Sequence, residues 1–351
     1  MDNRQGRLYF NHLSLKNEQL HMNVIEITTQ ENKSYQYSNK FFFLLNCSAL
    51  ILTLLIVFLS THIRLGEAGL GCGPWPECYA QLSMVDGIKG LEIPDTEFRN
   101  FRAMHRFIAS VLGINILIIL LITLWYRKTI SPVLPVFMFF IVLFLSILGI
   151  VTPARSVPIV TLGNILGGIV LAGLIWRQIL QTRIRNTEPG SPILLILSAT
   201  VTLQLISGAW ASANYTGSAC PALVTCTYMD NVSSHLLDSY NIFRELKLDN
   251  NHHLIIDEAS SIIQITHRVI AIMLLVLVIT ALQIIRHRQP VLVKPMLILT
   301  CILCAEFILG VVNILTNMPL WTNTLHNLLA VGLLFAMINL TMLIKLKRTY
   351  N

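Results

Sequence analysis

Apolar residues fall into eight long runs, at 41–61, 104–126, 132–152, 156–176, 192–212, 262–285, 291–315 and 322–344. Each run has about the 20 residues a helix needs to cross hydrocarbon. Inside lipid only helices and closed barrels satisfy every backbone N–H and C=O internally. A spanning barrel would show alternating segments of about ten residues, and the chain has no such alternation. The pattern predicts an all-α integral membrane protein with eight transmembrane helices. Composition points the same way: of 351 residues, 54% are hydrophobic and 12% charged, too little charge for a soluble domain.

The runs are written twice. His105 opens M-H-R-F-I-A and His267 opens T-H-R-V-I-A after it, an offset of 162 (267 − 105). Taken back from His326 in L-H-N-L-L-A, that offset lands on Asn164 in L-G-N-I-L-G-G. The expected organisation is a polar tail (1–40), an N-terminal four-helix bundle (41–185) and a C-terminal four-helix bundle (186–351).

Charge orients the runs. Arg127 and Lys128, then Arg177, Arg183 and Arg185, then Arg286, Arg288 and Lys294, then Lys345, Lys347 and Arg348 follow alternate runs, with Glu188 as their only acid. The two long loops on the other side carry most of the acids, from Glu67 to Glu97 and from Asp230 to Glu258. Basic loops stay in the cytoplasm. The expectation is therefore a bacterial inner-membrane protein with cytoplasmic termini and periplasmic long loops. The net charge of +7 follows from this asymmetry and is no argument for a nucleic-acid partner. Residues 1–40 lack a basic start followed by an apolar core and read as a cytoplasmic tail, not a signal peptide.

Each long loop holds two cysteines six residues apart, Cys72 with Cys78 and Cys220 with Cys226. On an oxidising side, paired cysteines form disulfides, so 72–78 and 220–226 are the predicted bridges. A redox-active pair and a zinc site are the competing readings. Cys47, Cys301 and Cys304 lie within the runs and read as packing residues, with C-x-x-C at 301–304 a weak redox signal. His235, His252 and His253 read as solvated loop histidines.

Ionisable residues within the membrane mark function by default. His267 and His326 sit near the same end of helices that run parallel, so their imidazoles can face each other. Such a pair suits a haem with two axial histidines. The plain alternative is a pair of interhelical hydrogen-bonding histidines. Arg106 and Arg268, directly after their histidines, suit haem propionates or simple snorkelling to the interface. Glu306, in C-A-E-F-I-L-G, must be neutralised or paired and suits a proton path or a structural contact. Gly163, Gly167, Gly168 and Gly173 on one run, and Ala330 and Gly332 on another, allow close helix approach and would leave room for a flat ligand.

R-L-G-E-A-G-L-G-C-G-P-W-P-E-C, F-R-A-M-H-R-F-I-A-S, G-A-W-A-S-A-N-Y-T-G-S-A-C-P, I-T-H-R-V-I-A and L-H-N-L-L-A together resemble the heme A synthase family. The resemblance covers nearly the whole chain after residue 40. It is greatest to proteobacterial members with a cysteine pair in each half. It implies two four-helix bundles and oxidation of a methyl group of heme O to the formyl group of heme A. It implies a heme B cofactor ligated by His267 and His326, and a substrate-haem site in the N-terminal half where His105 faces the iron of heme O. Two positions depart from the family pattern. Arg102 stands where the family has a catalytic glutamate in E-x-x-H-R, and Asn164 stands where it has a histidine. Glu97 lies eight residues before His105 and does not obviously replace that glutamate. Glu306 stands where relatives tend to carry glutamine, as Gln204 does four residues before Gly208.

The expected function is thus a heme A synthase-type oxidoreductase serving cytochrome oxidase biogenesis. No flavin or nicotinamide fingerprint is present, so the electron donor is a separate, unidentified partner. Membrane lipid, heme O synthase, oxidase assembly proteins and a second copy of the chain are the other expected partners. The alternative is a catalytically impaired relative that binds or carries haem, its N-terminal site altered at Arg102 and Asn164. A quinol-oxidising diheme cytochrome would need a histidine at position 164.

Overall fold

The computed structural model describes residues 40–65, 96–127, 130–151, 158–181, 192–223, 225, 226, 228, 232–246 and 255–344. The Cys72 and Cys78 pair, the tail 1–39, His252 and His253 fall outside this set.

Among the described residues the fold is all-helical. In chain order the helices are α1 (Lys40–Leu65), α2 (Thr96–Trp125), α3 (Val133–Val151), α4 (Pro158–Gln181), α5 (Pro192–Ala213), the short α6 (Val232–Ser239), α7 (Glu258–Arg288), α8 (Val293–Leu315) and α9 (Leu320–Ile344). Seven helices are long and apolar enough to cross a membrane, and a shorter apolar helix covers Val133–Gly149. The chain is a multi-pass membrane protein. Exposed apolar side chains such as Phe107, Phe137, Phe140, Ile272 and Met273 give these helices the outward face that lipid requires.

Helix starts echo the sequence offset. α2 begins at Thr96 and α7 at Glu258, 162 residues apart (258 − 96). α4 begins at Pro158 and α9 at Leu320, again 162 apart (320 − 158). Both α2 and α7 start earlier than the apolar runs at 104 and 262, because a polar turn is helical before the hydrophobic stretch begins. For α7 the cause is local. Asp257 is the N-cap, its carboxylate accepting from the Ser260 backbone N–H at 3.0 Å and the Ser260 hydroxyl at 2.7 Å, which satisfies donors that the first helical turn leaves orphaned.

The main core lies among α5, α7, α8 and α9. Leu194, Leu197, Val201 and Leu205 of α5 meet Leu274, Val278, Ala281 and Ile285 of α7, Met296, Leu299 and Leu303 of α8, and Leu333, Met337 and Leu340 of α9. Each helix contributes at steps of three and four residues, one stripe of a 3.6-residue helix. Truncating one such leucine to alanine costs about 2–5 kcal/mol.

Glycines set the helix approaches in the first half. A Cβ on Gly163 would lie 2.9 Å from Leu148 Cδ2 and one on Gly167 2.6 Å from Leu145 Cδ2. The room these glycines leave is filled by α3 leucines, not held open for a flat ligand. Gly173 instead faces Leu334 and Ile338 of α9, and one turn on, Trp176 stacks on Phe335 with centroids 5.1 Å apart.

Candidate haem-ligand site

His267 is the tenth residue of α7, about 13 Å along the axis from the helix start at 1.5 Å per residue. His326 is the seventh residue of α9. α8 packs against both helices that carry these histidines, and α5 does the same.

Each imidazole is held from a neighbouring helix. On α5, Ser207 Oγ lies 3.0 Å and Gln204 Nε2 3.3 Å from His267 Nδ1. Gly208 makes the space: a Cβ there would sit 3.0 Å from His267 Cε1. On α8, Glu306 Oε2 lies 3.3 Å from His326 Nδ1, and a Cβ on Gly310 would sit 3.5 Å from His326 Cε1. A polar residue followed four positions later by glycine, Gln204 with Gly208 and Glu306 with Gly310, serves both histidines. In each case Nδ1 faces a polar group on the flank, which leaves Nε2 free to coordinate a metal. An imidazole that gives Nε2 to iron carries its proton on Nδ1, so its flanking partner must accept. Ser207 Oγ and Glu306 Oε2 can accept directly. Gln204 Oε1, buried and without a hydrogen-bond partner as placed, accepts once its amide is flipped. Glu306 Oε2 and His326 Nδ1 are likewise buried without a hydrogen-bond partner. These orphaned atoms and the two glycine gaps fit a bis-histidine haem iron.

Arg268, next to His267, points elsewhere. Its Nη1 donates to the carbonyls of Ala222 at 2.7 Å and Leu223 at 3.0 Å, and its Nη2 to that of Cys220 at 2.8 Å. These carbonyls lie in the loop closed by the Cys220–Cys226 disulfide. Nε of Arg268 is the nitrogen left without a hydrogen-bond partner. One turn before His267, Gln264 is buried and its Oε1 accepts from Thr216 Oγ1 at 3.1 Å. Tyr240, just after α6, donates to Thr266 Oγ1 at 2.6 Å, and Trp210 Nε1 donates to Ser239 O at 2.9 Å, so α6 is tied down beside the histidine.

Sequence reasoning missed the pair that anchors the start of α7. Buried Arg244 donates through Nη2 to Asp257 at 2.9 and 3.2 Å. Burial raises the Asp257 pKa, but the Ser260 hydrogen bonds and the Arg244 charge outweigh it and hold the carboxyl below its ordinary value of 3.8. The N-cap signal, aspartate before an apolar run, was legible; the arginine thirteen residues upstream carried none.

The N-terminal histidine has a different setting. His105 is half-buried on α2, with Arg102 buried one turn before it and Arg106 after it. Asn164 is half-buried on α4. α3 packs against both helices, and among the described residues no hydrogen bond or ion pair joins His105 to Asn164. Nearby, His62 of α1 is buried against Phe101 and Trp321, with centroids 5.0 and 4.7 Å away, and Arg64 Nη2 donates to Ser212 Oγ at 2.9 Å. Cys47, Cys301 and Cys304 are free thiols.

Comparison with known proteins bears on both halves. The family described as cytochrome oxidase assembly protein matches residues 43–338. A protein named heme A synthase from Shewanella oneidensis is 29% identical over 302 residues, covering 79% of this chain and 89% of that protein.

Proposed function

Because the chain belongs to the cytochrome oxidase assembly protein family, we propose that it is a heme A synthase-type oxidoreductase that oxidises a methyl group of heme O to the formyl group of heme A. The observation that carries this reading is the pair of histidines, His267 and His326, whose Nδ1 atoms both face polar groups on flanking helices. They would hold a heme B. When bound, that group supplies one-electron transfer. The chain's own residues orient the ligands and hold the Nδ1 protons, while the shared core of α5, α7, α8 and α9 keeps water from the helix interior.

In this reading eight spans form two repeated four-helix bundles, 41–185 and 186–351. The 162-residue spacing of the α2/α7 and α4/α9 starts supports it. The termini are cytoplasmic and the cysteine-bearing loops periplasmic. Heme O, the substrate, occupies the N-terminal half with His105 facing its iron, while Arg102 and Asn164 stand at the altered family positions. Arg106 would meet a propionate; Arg268 would do so only through Nε or by exchanging a loop carbonyl. Electrons come from a separate donor, and heme O synthase, oxidase assembly proteins and a second copy of the chain are the natural partners.

A second reading is favoured by one observation: the position of the family glutamate is a buried arginine, which reverses the charge and removes a proton acceptor. On that reading the chain binds or carries haem without oxidising it. Haem extraction separates the two. The chain is expressed in a host that makes heme O and lacks its own heme A synthase. Heme A or its hydroxylated precursor in the chromatogram is the expected result. Heme B co-purifying with the protein while heme O stays unconverted would establish the haem-carrying reading instead.

A further inference from the structure

The two candidate ligands differ in the group each one faces. His267 Nδ1 faces a hydroxyl and an amide, both neutral. His326 Nδ1 faces a carboxyl group at 3.3 Å. Neither His326 Nδ1 nor Glu306 Oε2 has a hydrogen-bond partner, and both are buried, so each is the polar group that the other must satisfy. Burying a lone carboxylate or a lone imidazole N–H without a partner is costly. Gly310, one turn beyond Glu306 on the same face of α8, leaves the gap through which the imidazole edge comes near. The arrangement is built for contact between these two side chains.

With Nε2 on iron, the His326 Nδ1–H can only donate, and Glu306 must accept. A carboxylate accepting that proton draws the imidazole toward imidazolate and makes it a stronger donor to iron. Ferric and ferrous haem differ by one electron, and the stronger, more anionic donor favours the ferric form. Within a membrane span this charge is poorly screened, since mobile ions and high-dielectric water are remote.

Resting on the reading that His326 is a haem ligand, we infer that Glu306 is a positioning residue that makes His326 the more strongly donating of the two ligands and sets the haem's reduction potential below that of a site with two neutral flanking partners. The asymmetry belongs to the electron-transfer step. A haem held at lower potential releases its electron more readily to the next acceptor, whichever direction the chain's chemistry supplies it from.

The test is potentiometry on the purified full-length chain with the haem it retains from the membrane. Glu306→Gln keeps shape and removes the charge. At a fixed poise its reduced-to-oxidised ratio should rise on the order of tenfold, ~59 mV for a one-electron couple. Gln204→Glu adds the missing charge at the other histidine and should move the ratio the opposite way. Glu306→Asp should restore part of the wild-type potential. Equal potentials in wild type and Glu306→Gln at equal haem content would overturn the inference. So would a loss of haem in Glu306→Gln together with no downward shift in Gln204→Glu, the pattern of a purely structural contact. His326→Ala separates this from the ligand reading. If that variant keeps the wild-type haem content and low-spin spectrum, His326 is no ligand, and the function proposed above fails on its own account.

Discussion

Helices α2 and α7, and likewise α4 and α9, start 162 residues apart and carry different chemistry. In the second half, a flanking helix offers each histidine a polar residue and, four positions on, a glycine. The position 162 residues after Arg102 is Gln264, a neutral amide tied to Thr216. In the first half that position is a buried arginine, the counterpart of His326 is Asn164, and the glycines beside it are packed with leucine. The lesson is that helix starts recur along this chain more readily than a site does. Helix starts depend on local caps and apolar length, whereas a metal site depends on two or three side chains meeting from separate helices.

The largest expected effect is on haem itself. His267→Ala and His326→Ala should each abolish heme B retention, read by the pyridine haemochrome of purified protein, while His105→Ala should retain it and lose heme A formation. Equal haem loss in all three would break the contrast between the halves. Next come the glycine gaps. Gly208→Val places a branched side chain against an imidazole 3.0 Å from its Cβ, and Gly310→Val meets a gap of 3.5 Å. Both should weaken haem retention, and Gly208→Val should cost more, in the range of about 1–3 kcal/mol for overpacking, measured as the lower unfolding midpoint in detergent. The smallest effect is at the start of α7. The Asp257 carboxyl is held below its unfolded value of 3.8. Its contribution to stability is therefore fully present above that value and is lost as pH falls through the folded value. The midpoint temperature of wild type should drop in that acid window, and Asp257→Asn should show a lower midpoint at neutral pH with a flatter acid limb.

Much of the frame was legible. The apolar runs at 192–212 and 291–315 lie within a few residues of Pro192–Ala213 and Val293–Leu315, because hydrocarbon thickness fixes length. The histidine repeat picked out His267 and His326 because ionisable residues are rare in such runs. The 220–226 bridge was read from spacing and side, and it is present. The flanking groups were harder. Ser207 and Gln204 lie 60 and 63 residues from His267, on a helix that carries no histidine, and serine or glutamine in a span is ordinarily a helix-packing residue. Arg268 was read toward a propionate from its place beside His267. Three loop carbonyls compete for its guanidinium, and which carbonyls a loop turns inward is a matter of backbone shape that residue types do not encode.

That same arginine links two kinds of bond. The carbonyls of Cys220, Ala222 and Leu223 converge on one guanidinium from within a ring closed by sulfur. An open chain would have to order that turn at its own entropic cost before the three acceptors could meet. The closed ring thus lowers the entropic cost of the clasp, and so of the last restraint on the helical turn bearing His267.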